Sequence, residues 1–324
     1  MVMRSRFTGW MIGGVLVAVA AAGAIVWVSV ARTTGQTPRP TRTAEGKPDF
    51  SGIWQANNEA YWDLQAHGAR AGIVTQPGVY AYEYARVPAA PVLALGAAAG
   101  VPASLGVVEG DGQIPYKPEA AAVRHDNGEH WIDRDPELKC YLPGIPRAMY
   151  MPYPFQIVQG TSKIQMAYAF TNASRVIHLG KAEPPPDDTY MGHSVGRWDG
   201  DALVVDVTHF NGKNWFDRAG NYHSDALHLV ERFTPMTPDV IRYEVTIEDP
   251  KVFTRPWRIS MPIYRRMEPN MQLMEYRCIE LAEEFLFGNL RKRPLVKRWE
   301  GETMIVDITR KVPPGDKLYE WYRK

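Results

Sequence analysis

The sequence predicts an all-β fold, a mainly antiparallel β-barrel with short helices, and three observations support this prediction. After Pro154, apolar and polar residues alternate over short stretches, which is the pattern of half-buried antiparallel strands. Turn sequences such as Asp199-Gly200 and Asn211-Gly212 separate these stretches and favour tight hairpins. The chain is also rich in aromatic residues, with 10 Trp, 16 Tyr and 10 Phe among 324 residues, which suits strands and apolar pockets. About ten strands with short turns favour closure into a barrel, which removes exposed sheet edges, over the alternative of a two-sheet sandwich.

The predicted elements follow in chain order. Residues 61–118 are rich in small residues and prolines, and we assign them to loops. A short helix is predicted over residues 118–124, because proline is favoured in a first helical turn and good helix formers follow it. A second short helix is predicted over residues 280–290, where the apolar residues have helical spacing. The candidate strands are residues 155–159, 163–170, 175–179, 194–198, 202–210, 227–233, 241–248, 257–263, 272–280 and 303–310.

The N-terminal segment predicts export. Arg4 and Arg6 precede an uncharged, largely apolar run over residues 7–31. About 20 apolar residues are enough to cross a bilayer, whereas the apolar core of a cleaved signal is usually about 7–15 residues long. We therefore expect a transmembrane signal anchor, with a cleaved signal peptide ending at the small residues Ser29 and Ala31 as the alternative. Either outcome places the rest of the chain outside the cytoplasm, at the periplasmic face of the inner membrane if anchored, or secreted if the signal is cleaved.

The predicted organisation has three parts. Residues 1–31 form the signal anchor or signal peptide, and residues 32–47, rich in Thr, Pro, Arg and Gly, form a flexible tether. Residues 48–324 form the barrel domain. The two cysteines, Cys140 and Cys278, are expected to form a disulfide, because an exported domain meets an oxidising environment. Two buried free thiols are the alternative.

Charge and motifs exclude several classes of function. The net charge is +1, from 37 basic and 36 acidic residues, so no basic surface for nucleic acid is expected. No Gly-x-Gly-x-x-Gly follows a strand and no P-loop is present, so neither a nucleotide cofactor nor phosphate transfer is expected. The histidines between Met191 and Trp257, namely His193, His209, His223 and His228, lack the spacing of a local metal motif. We therefore expect no metal site and no cofactor.

A set of longer motifs resembles a known group of proteins. Gly52-x-Trp54 is similar to the opening of lipocalin-like barrels, in which the tryptophan closes the barrel floor. Further motifs are DPELKCYLPGIPR at 135–147, YMPYPFQIV at 150–158, GRWDGD at 196–201, WFDRAG at 215–220, HSDALH at 223–228, Glu231-Arg232 and TIEDP at 246–250. They resemble a large family of exported bacterial proteins whose domain begins near a PDFSGxW motif. The likeness covers about residues 47–292 and implies an exported, lipocalin-like barrel with no established activity. An Ala/Gly/Pro-rich insertion near Ala89 departs from the pattern of the family.

Charged residues lie at alternate positions in three predicted strands. Glu231 and Arg232 fall on opposite faces of strand 227–233, Glu244 lies in strand 241–248, and Glu275 lies in strand 272–280. If these charges face solvent, they form cross-strand ion pairs that stabilise the sheet. If they face the barrel interior, burial shifts their pKa values and they become candidate acids and bases.

The candidate catalytic residues come from this sheet and its loops. His223 is the candidate acid or base, with Asp217 or Glu231 to orient it, and Glu244 and His193 as further members. The candidate ligand-binding residues are Trp198, Trp215, Tyr222, Arg232, Tyr243, Trp257 and Glu275. The Gly192-x-Ser194-x-Gly196 sequence matches a nucleophile elbow, but a proline-rich loop precedes it and a hairpin follows it, so we interpret the match as chance.

Three functional hypotheses follow. In the first, the barrel is an enzyme that binds a hydrophobic or aromatic small molecule and performs cofactor-free acid–base chemistry: hydrolysis, isomerisation or elimination. In the second, it is a non-catalytic carrier of an apolar ligand or lipid in the cell envelope, and the charges only stabilise the sheet. In the third, it is a structural envelope protein. Convergence of Glu231, Glu244 and His223 in one pocket would favour the enzyme.

Overall fold

The computed structural model describes residues 40–71, 100–280, 297–300 and 303–306. The barrel strands are β1 Gly52–Ala56, β4 Phe155–Gln159, β5 Lys163–Tyr168, β6 Ser174–Leu179, β7 His193–Asp199, β8 Ala202–Thr208, β9 His228–Thr237, β10 Val240–Glu248 and β11 Trp257–Arg265. Two small two-stranded sheets pair β2 Arg70–Ala71 with β3 Gly100–Val101, and β12 Lys297–Glu300 with β13 Thr303–Val306. The helices are α1 Pro118–Glu129 and α2 Trp131–Arg134, with 3₁₀ turns at Arg147–Met149 and Phe170–Asn172.

Nine strands in the described part of the chain close into a barrel in the order β1-β11-β10-β9-β8-β7-β6-β5-β4. This confirms the prediction of a β-barrel with little helix. The sheet is mixed, however, because β6 and β7 run parallel while the other neighbouring strands are antiparallel. Residues 180–192 make the crossover between them, and the prolines at 184–186 lack the N–H groups that a hairpin strand would need.

The two ends of the barrel differ. At one end the strands are joined by tight turns, such as Gly200 with a φ of 61° between β7 and β8. At the other end lie the long connections 57–67, 102–154, 209–227 and 249–256, which we call the cap. Hydrogen bonds join these connections to one another, for example Arg218 N–H to the Tyr61 carbonyl at 3.0 Å and Lys117 N–H to the Val252 carbonyl at 3.0 Å. The cap therefore closes one end of the barrel as a hydrogen-bonded unit.

Side chains fill the barrel interior. Alternate residues of each strand point inward, and large ones such as Trp54, Phe155, Phe233 and Tyr243 are at most 2 % exposed. From the cap, the 3₁₀ turn at Arg147–Met149 is also buried, and the Tyr168 hydroxyl donates to the Met149 sulfur at 3.3 Å. At the hairpin end, the Trp54 indole N–H donates to the Phe50 carbonyl at 2.8 Å, beneath the guanidinium of Arg265. The interior is a packed core.

The predicted disulfide is confirmed. Cys140 of the cap and Cys278 are bonded across a sequence separation of 138 residues. Tyr276 packs against the rings of Tyr153 and Phe170, at centroid distances of 4.5 and 5.5 Å, and these two rings also stack on each other at 5.7 Å. The bond and this stack hold residues 271–280 against the barrel.

Several sequence predictions need correction. Residues 272–280 form no strand: their alternation reflects side chains that touch the cap on one side, as Tyr276 and Cys278 do. Helix α1 begins at Pro118 as predicted but continues to Glu129. Strand β13, Thr303–Val306, falls within the predicted 303–310, of which residues 307–310 lie outside the described residues. The predicted helix over 280–290 and the membrane segment over 7–31 lie outside the described residues, apart from residue 280, which is in a turn. Where the structure describes the chain, it contains no helix with the length and apolarity to cross a bilayer.

Candidate functional site

Glu231 lies inside the barrel and is fully buried. Both of its carboxylate oxygens accept hydrogen bonds from the guanidinium of Arg175, whose Nη1 is 3.1 Å from Oε1 and whose Nη2 contacts Oε2. Arg175 Nε donates to the Ser194 hydroxyl at 2.8 Å, and the Tyr243 hydroxyl donates to Glu231 at 2.7 Å. Burial opposes the charge on Arg175, but the Glu231 carboxylate outweighs it and raises the pKa of the guanidinium. The pair is therefore a buried salt bridge whose hydrogen bonds are satisfied by the protein.

Asp217 organises the cap. Its carboxylate accepts hydrogen bonds from the backbone N–H groups of Leu64 at 2.8 Å, Ala219 at 3.0 Å and Asn221 at 3.2 Å, and from the Asn221 amide at 2.6 Å. Burial raises the pKa of Asp217 to about 7, and the nearby charge of Asp63 adds to this effect. These bonds fix the loop over residues 214–222 to the chain that follows β1.

His223 is buried between the rings of Phe210 and Phe216, at centroid distances of 5.6 and 5.2 Å. Its Nδ1 lies 2.8 Å from the Ser224 carbonyl, and burial lowers its pKa. Within the described ranges, His223 makes no hydrogen bond to Asp217 or Glu231, because their oxygens are taken by other donors.

The other two catalytic candidates lie on the outer face of the barrel. Glu244 accepts a hydrogen bond from Arg258 at 2.9 Å, and His193 packs beside the rings of His178 and His209. Glu231, Glu244 and His223 thus occupy the barrel interior, the outer face and the cap respectively. The predicted acid–base residues do not meet in one pocket.

The ligand-binding candidates are also divided among different places. Tyr243 and Trp257 belong to the packed core, and Glu275 is exposed beside Arg277 at 3.5 Å. Trp215 and Tyr222 pair with each other in the cap, where Tyr222 also stacks on Tyr116. Trp198 and Arg232 border a groove on the outer face of the barrel.

A second buried ionic cluster lies in the cap and was not predicted. Arg147 bonds Asp135 at 2.7 Å and Glu137 at 2.6 Å, and Glu137 bonds Arg218 at 2.9 Å. The Arg218 guanidinium lies 4.6–5.2 Å from the ring centroids of three aromatic residues, Tyr61, Trp62 and Trp131. This cluster joins motif residues 135–147 to motif residues 215–220. It stabilises the cap, and it leaves no buried charge without a partner among its four members.

The groove follows from the register of the outer face. Across β8, β9 and β10, Val204 pairs with Arg232 and Arg232 pairs with Glu244; one step along, Val230 pairs with Thr246. The floor therefore consists of short residues, and long charged residues stand around it. The groove has a volume of about 510 Å³. Its lining residues are Arg197, Trp198, Asp199, Val204, Val230, Arg232, Glu244, Thr246 and Arg258.

Each arginine of the groove has a carboxylate partner. Arg197 bonds Asp206 at 2.8 Å, Arg232 bonds Asp199 at 2.8 Å, and Arg258 bonds Glu244 at 2.9 Å. Arg258 also bonds Glu109 through Nε at 3.2 Å. The three arginine side chains remain 41–63 % exposed, so each presents further N–H groups to solvent. A guanidinium carries five N–H donors, so such an arginine can bind a second carboxylate without losing the first.

A smaller cavity of about 150 Å³ lies beside the disulfide, lined by residues that include Glu137, Phe170, Tyr276 and Cys278. Among the described residues, no group of three or more His, Cys, Asp or Glu side chains is already arranged to hold a metal ion.

Comparison with protein-family models, with curated proteins and with solved structures found no match for this chain. The family resemblance of the motifs therefore stays a prediction.

Proposed function

We propose that this protein is a non-catalytic binding protein of the cell envelope, and that the outer groove binds a small organic anion with an apolar part. The observation that carries the proposal is the groove, because its volume of about 510 Å³ lies within the range of small-molecule sites. The barrel interior, by contrast, is filled by side chains.

The lining of the groove indicates the ligand's chemistry. It holds three arginines and two carboxylates, and two further carboxylates, Asp206 and Glu109, bond Arg197 and Arg258 from outside the lining. The exposed guanidinium N–H groups, rather than an excess of positive charge, are therefore what an anion would bind. Arginine binds a carboxylate or sulfonate with two parallel hydrogen bonds, which favours an anionic group. The floor residues Val204 and Val230 offer apolar surface for the rest of the molecule. A hydrophobic ligand without a charge would not use the exposed N–H groups that these arginines keep beside their carboxylate partners.

The alternative of a cofactor-free acid–base enzyme has less support. General acid–base catalysis needs its residues within hydrogen-bond reach of one substrate. His223, Asp217 and Glu231 instead bond to different parts of the protein, and each is at least 97 % buried.

Export is part of the proposal. A lipocalin-like barrel tethered by residues 7–31, or released by signal cleavage, would present the groove to ligands outside the cytoplasm. The disulfide between Cys140 and Cys278 agrees with an oxidising compartment.

Fluorescence titration with anilinonaphthalene sulfonate, an aromatic anion, tests the groove. We expect Arg232→Gln and Arg258→Gln each to weaken binding about tenfold or more, because each variant removes one charge-assisted hydrogen bond worth roughly 1.5–3 kcal/mol. Val230→Phe should weaken it too, because the larger ring fills the floor. The matched control is Arg242→Gln, since Arg242 is exposed on the outer face of β10 but does not line the groove.

Binding that is equally strong in Arg232→Gln, Arg258→Gln, Val230→Phe and the unaltered chain would place the probe elsewhere and refute the proposal. Thermal unfolding of each variant shows that the fold is retained.

A further inference from the structure

Three histidines meet where the two parallel strands pair. His178 lies in β6, His193 begins β7, and His209 directly follows β8. In the parallel pair His178 lies opposite Val195, and in the next pair His193 lies opposite Thr208, so the register brings the three residues side by side on the outer face. The ring centroids of His178 and His193 are 5.5 Å apart, and those of His193 and His209 are 6.2 Å apart.

We propose that His178, His193 and His209 form a binding site for a divalent transition-metal ion of the copper or zinc type. Imidazole nitrogen is a preferred ligand of these ions. A metal–nitrogen bond of about 2.0–2.1 Å, extended to the ring centre, places the centroids of two ligand rings roughly 5–6 Å apart. The His178–His193 spacing of 5.5 Å lies in this range, and the His193–His209 spacing of 6.2 Å is slightly longer.

The hydrogen bonding of the cluster supports a ligand role. His193 Nε2 is buried and has no hydrogen-bond partner among the described residues, although a buried polar atom is normally paired. His209 Nδ1 lies 3.2 Å from the Asp188 carboxylate, which can fix the tautomer and leave Nε2 with a lone pair.

The site requires side-chain rotation to close. In the described part of the chain the three nitrogens do not yet share one point that an ion could occupy. His178 and His209 are partly exposed, and the side chain of His209 is 37 % exposed, so both can rotate at little packing cost. His193, the central residue, then binds the ion through the nitrogen that has no partner.

Metal titration of the full-length chain, purified without a histidine tag and treated with a chelator, tests the proposal. We expect one equivalent of Cu²⁺ or Zn²⁺ per chain, with Cu²⁺ bound more tightly. His193→Ala and the exposed-residue variant His178→Ala should each weaken binding about tenfold or more, and Asp188→Asn should weaken it about 10- to 100-fold by releasing His209.

The matched control is His228→Ala. His228 also lies on the outer face, but its two ring nitrogens already face Glu248 at 3.3 Å and Asp206 at 3.4 Å. Nitrogen hyperfine coupling in the Cu²⁺ electron paramagnetic resonance spectrum should change in His193→Ala, which removes one of three ligand nitrogens, and should be unchanged in His228→Ala. Equal affinity in His193→Ala and the unaltered chain, or equal loss in His228→Ala, would show adventitious binding and overturn the proposal.

Discussion

Removing the charge of Glu231 should destabilise the barrel strongly. The Glu231→Gln variant leaves the Arg175 guanidinium, whose side chain is 1 % exposed, without its carboxylate. Loss of one partner of a buried ion pair typically costs about 3–5 kcal/mol, because the remaining charge has no compensation. In a domain of this size, each kcal/mol of lost stability lowers the melting temperature by about 2–4 °C, so the melting temperature should fall by about 6–20 °C.

The assay is urea unfolding followed by tryptophan fluorescence, with Glu244→Gln as the matched control. Glu244 pairs with Arg258 on the outer face, where the arginine side chain is 49 % exposed, so its loss should cost about 0–1 kcal/mol. The double variant Arg175→Met with Glu231→Leu should be more stable than Glu231→Gln, because it removes both charges and retains apolar volume. A cost below about 1 kcal/mol for Glu231→Gln, equal to the control, would refute the reasoning.

Two further predictions concern stability. Because burial lowers the pKa of His223 in the folded state, the unfolded chain takes up a proton first as pH falls. The unfolding free energy should therefore be highest above about pH 6.5 and should fall below it by up to about 1.4 kcal/mol per pH unit. The variant His223→Phe should reduce this slope when unfolding is measured between about pH 5 and 8. Replacing Cys278 with serine opens a loop of 138 residues and should lower the unfolding free energy by about 5 kcal/mol. Thiol titration of the unaltered chain, denatured without a reductant, should find no free thiol.

The sequence predicts those parts of the fold that follow from the alternation of apolar and polar side chains. Strands such as β10 combine an apolar face with a charged one, so their length and inward face follow from the pattern. Alternation does not give strand direction, and the parallel pairing of β6 with β7 was therefore not predicted. It also failed at residues 272–280, where a disulfide and aromatic contacts, rather than a sheet, partly bury Cys278 and Tyr276.

The buried salt bridge and the histidine cluster could also be predicted only in part from the alternation of side chains. Glu231 shares its face with Leu229 and Phe233, and Arg175 shares its face with Ile177, so the pattern already contained the signal that both point inward. Which carboxylate meets which arginine depends on strand order, which periodicity leaves open. The histidine cluster depends on the parallel pair and lies beyond any local motif, since its members are separated by about 15 residues each along the chain.

The motifs that carry the family resemblance fall into two groups in the structure. Those at 135–147 and 215–220 build the buried ionic cluster of the cap, which serves the fold. Those at 196–201, 231–232 and 246–250 supply five groove residues: Arg197, Trp198, Asp199, Arg232 and Thr246. The remaining lining residues, Val204, Val230, Glu244 and Arg258, lie outside these motifs. If the motifs maintain the shape of the groove and the proposed binding function holds, these four residues should determine which anion is bound, because they supply the apolar floor and the charged side opposite the motif residues.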